Sequence, residues 1–183
     1  DLAVNPNNPT EFYVAYASGG VWHTVNNGTT FTPILDASNT QNVGDIAVDW
    51  KSRTIWVGTG ENNASRSSFA GIGILKSDDN GKTWTNMGLQ DSHHIGRILI
   101  NPNNPDEVVV GVTGHLYSSN TERGVYKTTN GGKTWTPTSN EIGEFAPTHI
   151  ILDHTSDSKN RILYVCGFGK GVYKSIDGGY SWQ

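Results

Sequence analysis

The chain has 183 residues, of which 16% are charged and 22 are glycine, and its formal net charge at pH 7 is −4. This acidic balance provides no basic surface for nucleic acid, and no apolar run approaches the roughly 18 residues that cross a bilayer, so we expect neither nucleic-acid binding nor membrane insertion. The single cysteine, Cys166, excludes an internal disulfide framework.

Short apolar segments separated by turn residues recur along the whole chain. In chain order, paired segments lie at 2–4 and 11–16, 46–49 and 54–58, 98–101 and 107–111, and 150–153 and 161–165. Two of the intervening loops read Asn-Pro-Asn-Asn-Pro, a sequence that cannot continue a hydrogen-bonded ladder. Each pair therefore predicts two antiparallel strands joined by a turn.

A polar turn pattern follows each pair of segments, at 20–31, 73–84, 124–135 and 171–182. Each copy opens on apolar and aromatic residues, passes through a tight turn and closes on an aromatic residue, which predicts a β-hairpin. The closing aromatic residues are Phe31, Trp84, Trp135 and Trp182. Their spacing of about 50 residues indicates an array of supersecondary units.

The turn residues occupy fixed positions in the four copies. The opening hydroxyl residues are Thr24, Ser77, Thr128 and Ser175, the acidic or amide residues two positions later are Asn26, Asp79, Asn130 and Asp177, and the glycines are Gly28, Gly81, Gly132 and Gly179. Hydroxyl and carboxamide side chains bond nearby backbone amides, and glycine accepts positive φ. Because asparagine replaces aspartate in two copies, these carboxylates are predicted to hold the turn rather than to catalyse or to bind calcium.

Four predicted strands in each repeat specify an all-β fold. Four-stranded antiparallel sheets repeated around an axis make a β-propeller. We predict one domain over 1–183, with repeats at 1–44, 45–96, 97–147 and 148–183. Because the sequence starts and stops within a repeat, we expect about four blades of a larger propeller and a larger polypeptide, with closure of four blades alone as the alternative.

The turn pattern Ser/Thr-x-Asp-x-Gly-x-Thr-Trp resembles the Asp-box, or BNR repeat. This repeat occurs in sialidases, in xyloglucanase-type glycoside hydrolases and in sortilin-type propellers, and the resemblance implies a hairpin between the two outer strands of a blade, away from the ligand face. The segments 56–63, 73–84, 94–98 and 123–129 more closely resemble bacterial secreted propellers of the sortilin (VPS10) type. That resemblance implies a secreted or cell-surface bacterial protein.

The predicted ligand face gathers the loops between second and third strands and the loops between blades. Long loops carry function more often than short ones, and the two longest of the first kind follow Gly60 and Gly114. The candidate ligand-binding residues on this face are Glu61, Asn62, Arg66, His94, Arg97, His115, Arg123 and His149. Arg97 and Arg123 are suited to an anionic ligand or to bridging blades.

Glu61 is the leading catalytic candidate and Asp45 its best-placed partner, because glycoside hydrolysis needs two carboxylates about 5 to 9.5 Å apart. Alternatively, Glu61 pairs with Arg66 or Arg97 and orders its loop. The xyloglucanase-type resemblance puts a catalytic aspartate in the segment 17–20, where this chain has Ser18, and the arginine triad of a sialidase cannot be placed. His93, His94, His115 and His149 show no compact ligand spacing, so the sequence predicts no metal and no cofactor.

Three functions remain open at this point. The first is an exported or cell-surface binding scaffold for a protein or a glycan. The second is a glycoside hydrolase of the Asp-box class that acts on a polysaccharide. The third is a structural spacer in a large adhesin.

Overall fold

The computed structural model describes residues 1–63 and 67–183, which form fifteen β-strands and two single turns of 3-10 helix. The prediction of an all-β chain is confirmed. Within these residues there is no helix with the length and apolar character that a membrane crossing requires. The strands form four antiparallel sheets, which we call blades 1 to 4.

Each blade is a meander in which consecutive strands are neighbours. Blade 1 contains β1 (Leu2–Val4), β2 (Phe12–Tyr16), β3 (Gly20–Thr24) and β4 (Thr32–Pro33). Blade 2 contains β5 (Val43–Asp49), β6 (Thr54–Thr59), β7 (Ile74–Ser77) and β8 (Thr85–Asn86). Blade 3 contains β9 (Ile95–Asn101), β10 (Asn104–Val112), β11 (Gly124–Thr128) and β12 (Thr136–Pro137). Blade 4 contains β13 (Pro147–Leu152), β14 (Leu163–Gly167) and β15 (Gly171–Ser175).

The last residue of the chain occupies the first position of a fourth strand in blade 4. The amide of Gln183 donates to the carbonyl of Lys174 at 2.9 Å, and the amide of Lys174 donates back at 2.8 Å. In blade 1 the equivalent pair is Thr32 with His23, one residue after the closing aromatic. Blade 4 therefore follows the same plan as the other three.

Three apolar cores hold successive blades together. The first strands of neighbouring blades contact one another in chain order, β1 with β5, β5 with β9 and β9 with β13. Both faces of the second strands in blades 2 and 3 are buried: Ile55 and Val57 face blade 1 while Trp56 faces blade 3. Burial of each such side chain contributes about 1.5–3 kcal/mol. This two-sided burial explains why β6 and β10 read as continuous apolar runs rather than alternating ones.

The two end blades bury only one face. In blade 1 Tyr13 and Ala15 point into the core with blade 2, whereas Leu2 and Val4 lie on the other face and are 54% and 43% exposed. In blade 4 the corresponding outer face carries Ile151 and Val172, which are 49% and 68% exposed. Blade 1 and blade 4 thus each present an apolar sheet surface to solvent.

The four hairpin turns share one hydrogen-bond pattern. The opening hydroxyl accepts from the amide of the glycine four residues later, at 3.1 Å for Thr24, 2.8 Å for Ser77, 3.0 Å for Thr128 and 2.8 Å for Ser175. The carboxylate or carboxamide oxygen accepts from that hydroxyl and from an amide four residues on, as Asp79 Oδ1 does from the amide of Thr83 at 2.9 Å. Asn26 and Asn130 make the same bonds as Asp79 and Asp177.

The closing tryptophans connect each blade to the one before it. Trp84 Nε1 donates to the carbonyl of Ile34 at 2.8 Å, and Trp135 Nε1 donates to the carbonyl of Met87 at 2.7 Å. Trp182 Nε1 lies 3.3 Å from Thr138 Oγ1. Phe31 has no earlier blade within this chain to reach; it packs edge-on against Phe12 and remains 40% exposed.

Candidate functional site

The loops at one end of the blades bond to one another and form a continuous surface, which we call the loop face. It consists of 17–19, 35–42, 60–63, 67–73, 87–94, 113–123, 138–146 and 168–170. The amide of Gly71 donates to the carbonyl of His93 at 2.7 Å, and the amide of Thr113 donates to the carbonyl of His94 at 2.9 Å. Similarly, the amide of Phe168 donates to Ala146 at 3.2 Å. The two kinds of predicted loop therefore meet at the same end of the sheets.

Asp45, the predicted catalytic partner of Glu61, joins blade 2 to blade 3. Its Oδ1 lies 3.1 Å from Arg97 Nη1, and its Oδ2 accepts from the amide of Ile98 at 2.6 Å. The residue is only 2% exposed. Burial raises the pKa of Asp45 to about 6 in spite of the opposing charge of Arg97. Arg97 Nη1 also lies 3.4 Å from Asp1 Oδ2, so this arginine bridges blades.

Glu61 and Asn62 lie where the chain leaves β6. Glu61 is 5% exposed, its amide donates to the carbonyl of Phe69 at 3.0 Å, and its backbone also bonds the His94 side chain. Asn62 Oδ1 accepts from Thr113 Oγ1 at 2.7 Å, which connects blade 2 to blade 3. Arg66, the predicted partner of Glu61, lies outside the described residues. Among the ion pairs of the described residues, Arg97 contacts Asp45 and Asp1 and not Glu61.

Arg123 orders the loop between β10 and β11. Its Nη1 lies 3.0 Å from Glu144 Oε1, and its Nη2 donates to the carbonyls of Ser118, at 2.9 Å, and His115. The guanidinium lines a cavity of about 330 Å³ together with Phe168 and Lys170, between blades 3 and 4. His149 lies on β13, where burial and the charge of Arg97 lower its pKa.

Three ligand-type side chains from two loops converge on the loop face. Asp91, His93 and His115 place one carboxylate oxygen and two imidazole nitrogens within 4.8 Å of one another. The His93 and His115 rings stack with centroids 3.6 Å apart, and His115 Nε2 lies 3.3 Å from Asp91 Oδ1. Burial and the neighbouring His115 lower the pKa of His93. Sequence reasoning missed this cluster because its members come from separate loops.

Each blade also displays an exposed aromatic residue at the loop face, a feature that the sequence analysis did not identify. Phe69, Tyr117 and Phe168 lie in the loops between the second and third strands of blades 2, 3 and 4, and are 58%, 79% and 52% exposed. Tyr16, at the end of β2 in blade 1, is 54% exposed. Aromatic residues that lie together at an exposed face are a common feature of binding surfaces. The available sequence signal was that each of these residues lies at or after the end of a second strand.

A scan of protein-family models and a search of curated proteins found no match to this sequence. Solved structures do match it over its full length or nearly so. A GH74 enzyme from Niastella koreensis superposes with a TM-score of 0.73 at 23% identity. The match covers 100% of this chain and 28% of the GH74 chain. These values place the four sheets in a known architecture. The fold is a β-propeller.

Two further propellers have different roles. YCF48 bound to D1 peptide matches with a TM-score of 0.63 at 12% identity, covering 100% of this chain and 51% of its own. PorZ, an essential bacterial surface component of the type-IX secretion system of Porphyromonas gingivalis, matches with a TM-score of 0.64 at 19% identity, covering 95% of this chain and 24% of its own. The chain therefore spans between about a quarter and a half of the structures that it matches.

Proposed function

We propose that the chain is part of an exported or cell-surface bacterial β-propeller that binds an extended glycan or peptide on its loop face. The exposed aromatic residues at the loop face carry this proposal. Tyr117 and Phe168 lie on neighbouring blades, and the cavity lined by Phe168 also contains Arg123 and Lys170. An aromatic face packs against the apolar face of a sugar ring or against a peptide side chain, and rigid aromatic residues dominate binding energy at interfaces.

The likeness to YCF48 bound to D1 peptide and to PorZ supports a binding role, since these propellers include a peptide complex and a surface component. The likeness to PorZ also supports the proposed location outside the cell. At sequence identities of 12% and 19%, the similarity to these two proteins shows the fold alone. Capture experiments distinguish a glycan ligand from a peptide ligand.

We also propose that further blades adjoin blades 1 and 4 in the whole protein. Four blades in a closed ring would share four interfaces, whereas the described residues form three inter-blade cores. Leu2 on blade 1 and Val172 on blade 4 remain exposed on the outer faces. Additional blades would cover both faces and their strand edges, which otherwise favour aggregation.

Hydrolysis by Asp45 and Glu61 is the second candidate, and the raised pKa of Asp45, about 6, is the observation in its favour. Against it, both carboxylate oxygens of Asp45 are engaged, one by Arg97 and one by the amide of Ile98. A buried carboxylate that bridges two blades is suited to structure rather than to proton transfer with a substrate. The geometry therefore favours binding over catalysis.

Panels of plant, algal and host polysaccharides and a random peptide library, tested for capture by the protein, address the binding function. We expect Tyr117→Ala and Phe168→Ala each to weaken capture by about ten-fold, because truncating an aromatic anchor costs 1–2 kcal/mol or more. Ile176→Ala, a change at a 55% exposed apolar side chain in the turn opposite the loop face, is the matched control. Capture that is unaffected by both aromatic substitutions would overturn the proposal.

Release of reducing ends from the same polysaccharides tests hydrolysis. Turnover that is lost in Glu61→Gln or Asp45→Asn would establish the second function in place of the first. No capture and no turnover would leave the spacer role as the remaining explanation.

A further inference from the structure

We propose that Asp91, His93 and His115 form a binding site for a divalent transition-metal ion of the Zn²⁺ class. His93 and His115 supply imidazole nitrogen and Asp91 supplies carboxylate oxygen, which is a ligand set that Zn²⁺ prefers. This inference does not rest on the proposed binding of a glycan or peptide, because ion binding is measured without either.

The spacing of the ligand atoms fits a tetrahedral ion. Bonds of about 2.0–2.2 Å from zinc to nitrogen and oxygen require neighbouring ligand atoms to lie roughly 3.3 Å apart in a tetrahedron. His115 Nε2 and Asp91 Oδ1 are already 3.3 Å apart. The ligand atoms of all three residues lie within 4.8 Å of one another. The His93 ring stacks on His115 at 3.6 Å, so it has to turn out of this stack to direct its nitrogen at the same ion.

Hydrogen bonds orient the His115 ligand. Ser118 Oγ lies 3.0 Å from Nδ1 of His115, which leaves Nε2 directed at Asp91. Metal-binding histidines regularly use their second nitrogen in this way, and such a contact orients the ring. The loop therefore presents the nitrogen that the proposed ion requires.

The two loops that supply the ligands are fixed to each other. Asn120 Nδ2 donates to the carbonyl of Asp91 at 2.8 Å, while its Oδ1 accepts from the amide of His115 at 3.0 Å. Glu122 Oε2 accepts from the amide of Asp91 at 2.7 Å. One asparagine thus holds the backbone that carries Asp91 and His115 before an ion binds, which lowers the ordering entropy that opposes binding.

The surroundings leave room for a further ligand. His93, His94 and His115 line one cavity of about 270 Å³ with Tyr117 and Ser118. His94 is 4% exposed, and within the described part of the chain its Nδ1 has no hydrogen-bond partner. Three protein ligands with an open fourth position are typical of sites that hold water or a bound oxygen donor on the metal. The fourth position here faces a cavity beside the exposed Tyr117.

Titration of the EDTA-stripped protein with ZnCl₂ at neutral pH, followed by calorimetry, tests the site. We expect saturable one-to-one binding that His93→Ala or His115→Ala each weakens by at least about a hundred-fold, with Ser118→Ala weakening it by about ten-fold. His154→Ala removes an exposed histidine from the turn after β13, on the opposite side from the loop face, and should leave binding unchanged.

A second measurement guards against misfolded variants. Co²⁺ in place of Zn²⁺ should give the visible absorption of a tetrahedral site, and that absorption should disappear in His115→Gln while circular dichroism and the melting temperature of the metal-free protein are unchanged. The proposal is overturned if the wild-type protein shows no saturable binding. It is also overturned if the double variant His93→Ala/His115→Ala retains the wild-type affinity.

Discussion

Arg161 Nη2 lies 2.9 Å from Glu107 Oε2 and ties blade 4 to blade 3 at the end opposite the loop face. The same glutamate contacts Lys127 Nζ at 2.5 Å and accepts from Asn101 Nδ2 at 2.6 Å. Burial raises the pKa of Glu107, but hydrogen bonds from Lys127 and Asn101 bring it below its ordinary value. Glu107 is therefore a charged centre shared by two blades.

Blade 1 repeats this arrangement with blade 2. Glu11 accepts from Arg53, from Asn5 Nδ2 at 2.8 Å, and lies 3.2 Å from His23 Nε2. The Asn-Pro-Asn-Asn-Pro loops thus begin with the asparagine that orients the glutamate, and the next blade provides the arginine. The motif that predicted only a turn also encodes a contact between blades.

We expect Glu107→Gln to lower the free energy of unfolding by about 3 kcal/mol, because Lys127 is 2% exposed and would lose the partner of its buried charge. Urea denaturation measures the change. Glu144→Gln is the control, since Glu144 is 59% exposed where it pairs with Arg123 and should cost less than about 1 kcal/mol. Equal effects of the two substitutions would contradict the role assigned to Glu107.

The free energy of unfolding should depend on pH through the buried carboxylate of Asp45. With a pKa of about 6 in the folded protein and an ordinary value of 3.8, the folded state keeps a proton that the unfolded state has lost. Stability from this group therefore falls as pH rises from about 4 to about 6, by about 3 kcal/mol in total. Asp45→Asn has no charge to titrate and should abolish that fall.

Denaturation of the wild-type protein, of Asp45→Asn and of the control Asp36→Asn between pH 4 and pH 7 checks this prediction. Asp36 is an exposed loop carboxylate. Glu11 acts in a separate, more acidic window: the Arg53 hydrogen bond is the main cause that lowers its pKa to about 2, so its stabilisation is lost as pH falls from about 4.5 towards 2. An Asp45→Asn profile that parallels the wild type from pH 4 to 6 would show that the Asp45 carboxylate is already charged there.

The hairpin turns could be predicted from the sequence, whereas the side-chain contacts between distant segments could not. Ser77, Asp79 and Gly81 bond within one turn, so local sequence specifies their geometry and four copies reinforce the pattern. Tight turns that join neighbouring strands likewise set their register within a blade. Asp45 and Arg97 lie on strands of different blades, and Asp91 and His115 lie in different loops. Nothing in their local sequence fixes the distances between the partners.

We expect Ser77→Ala to destabilise the protein by about 1–2 kcal/mol, because the buried amide of Gly81 loses the acceptor that lies 2.8 Å away. Asp79→Asn should change stability little, since Asn26 and Asn130 make equivalent bonds in their own turns. Chemical denaturation compares the two. A large loss in Asp79→Asn would indicate that the negative charge itself has a role beyond the turn.

The exposed faces of the end blades should make the isolated chain associate with itself. Leu2 and Val4 on blade 1 and Val172 on blade 4 are the apolar groups that further blades would cover. We expect sedimentation to show mass that rises with concentration. Leu2→Lys combined with Val172→Lys should restore a monomer, because docking would bury like charges without partners.

Val25→Lys is the matched control for this last substitution pair, since Val25 is 61% exposed in a hairpin turn and lies away from both outer faces. It should leave association intact. If the protein is monomeric at all concentrations, the outer faces of blades 1 and 4 are stable in contact with solvent. The proposal that additional blades cover these faces would then lose its physical basis. If the double variant still associates, the contact lies on another surface. The exposed aromatic residues of the loop face would then be substituted next.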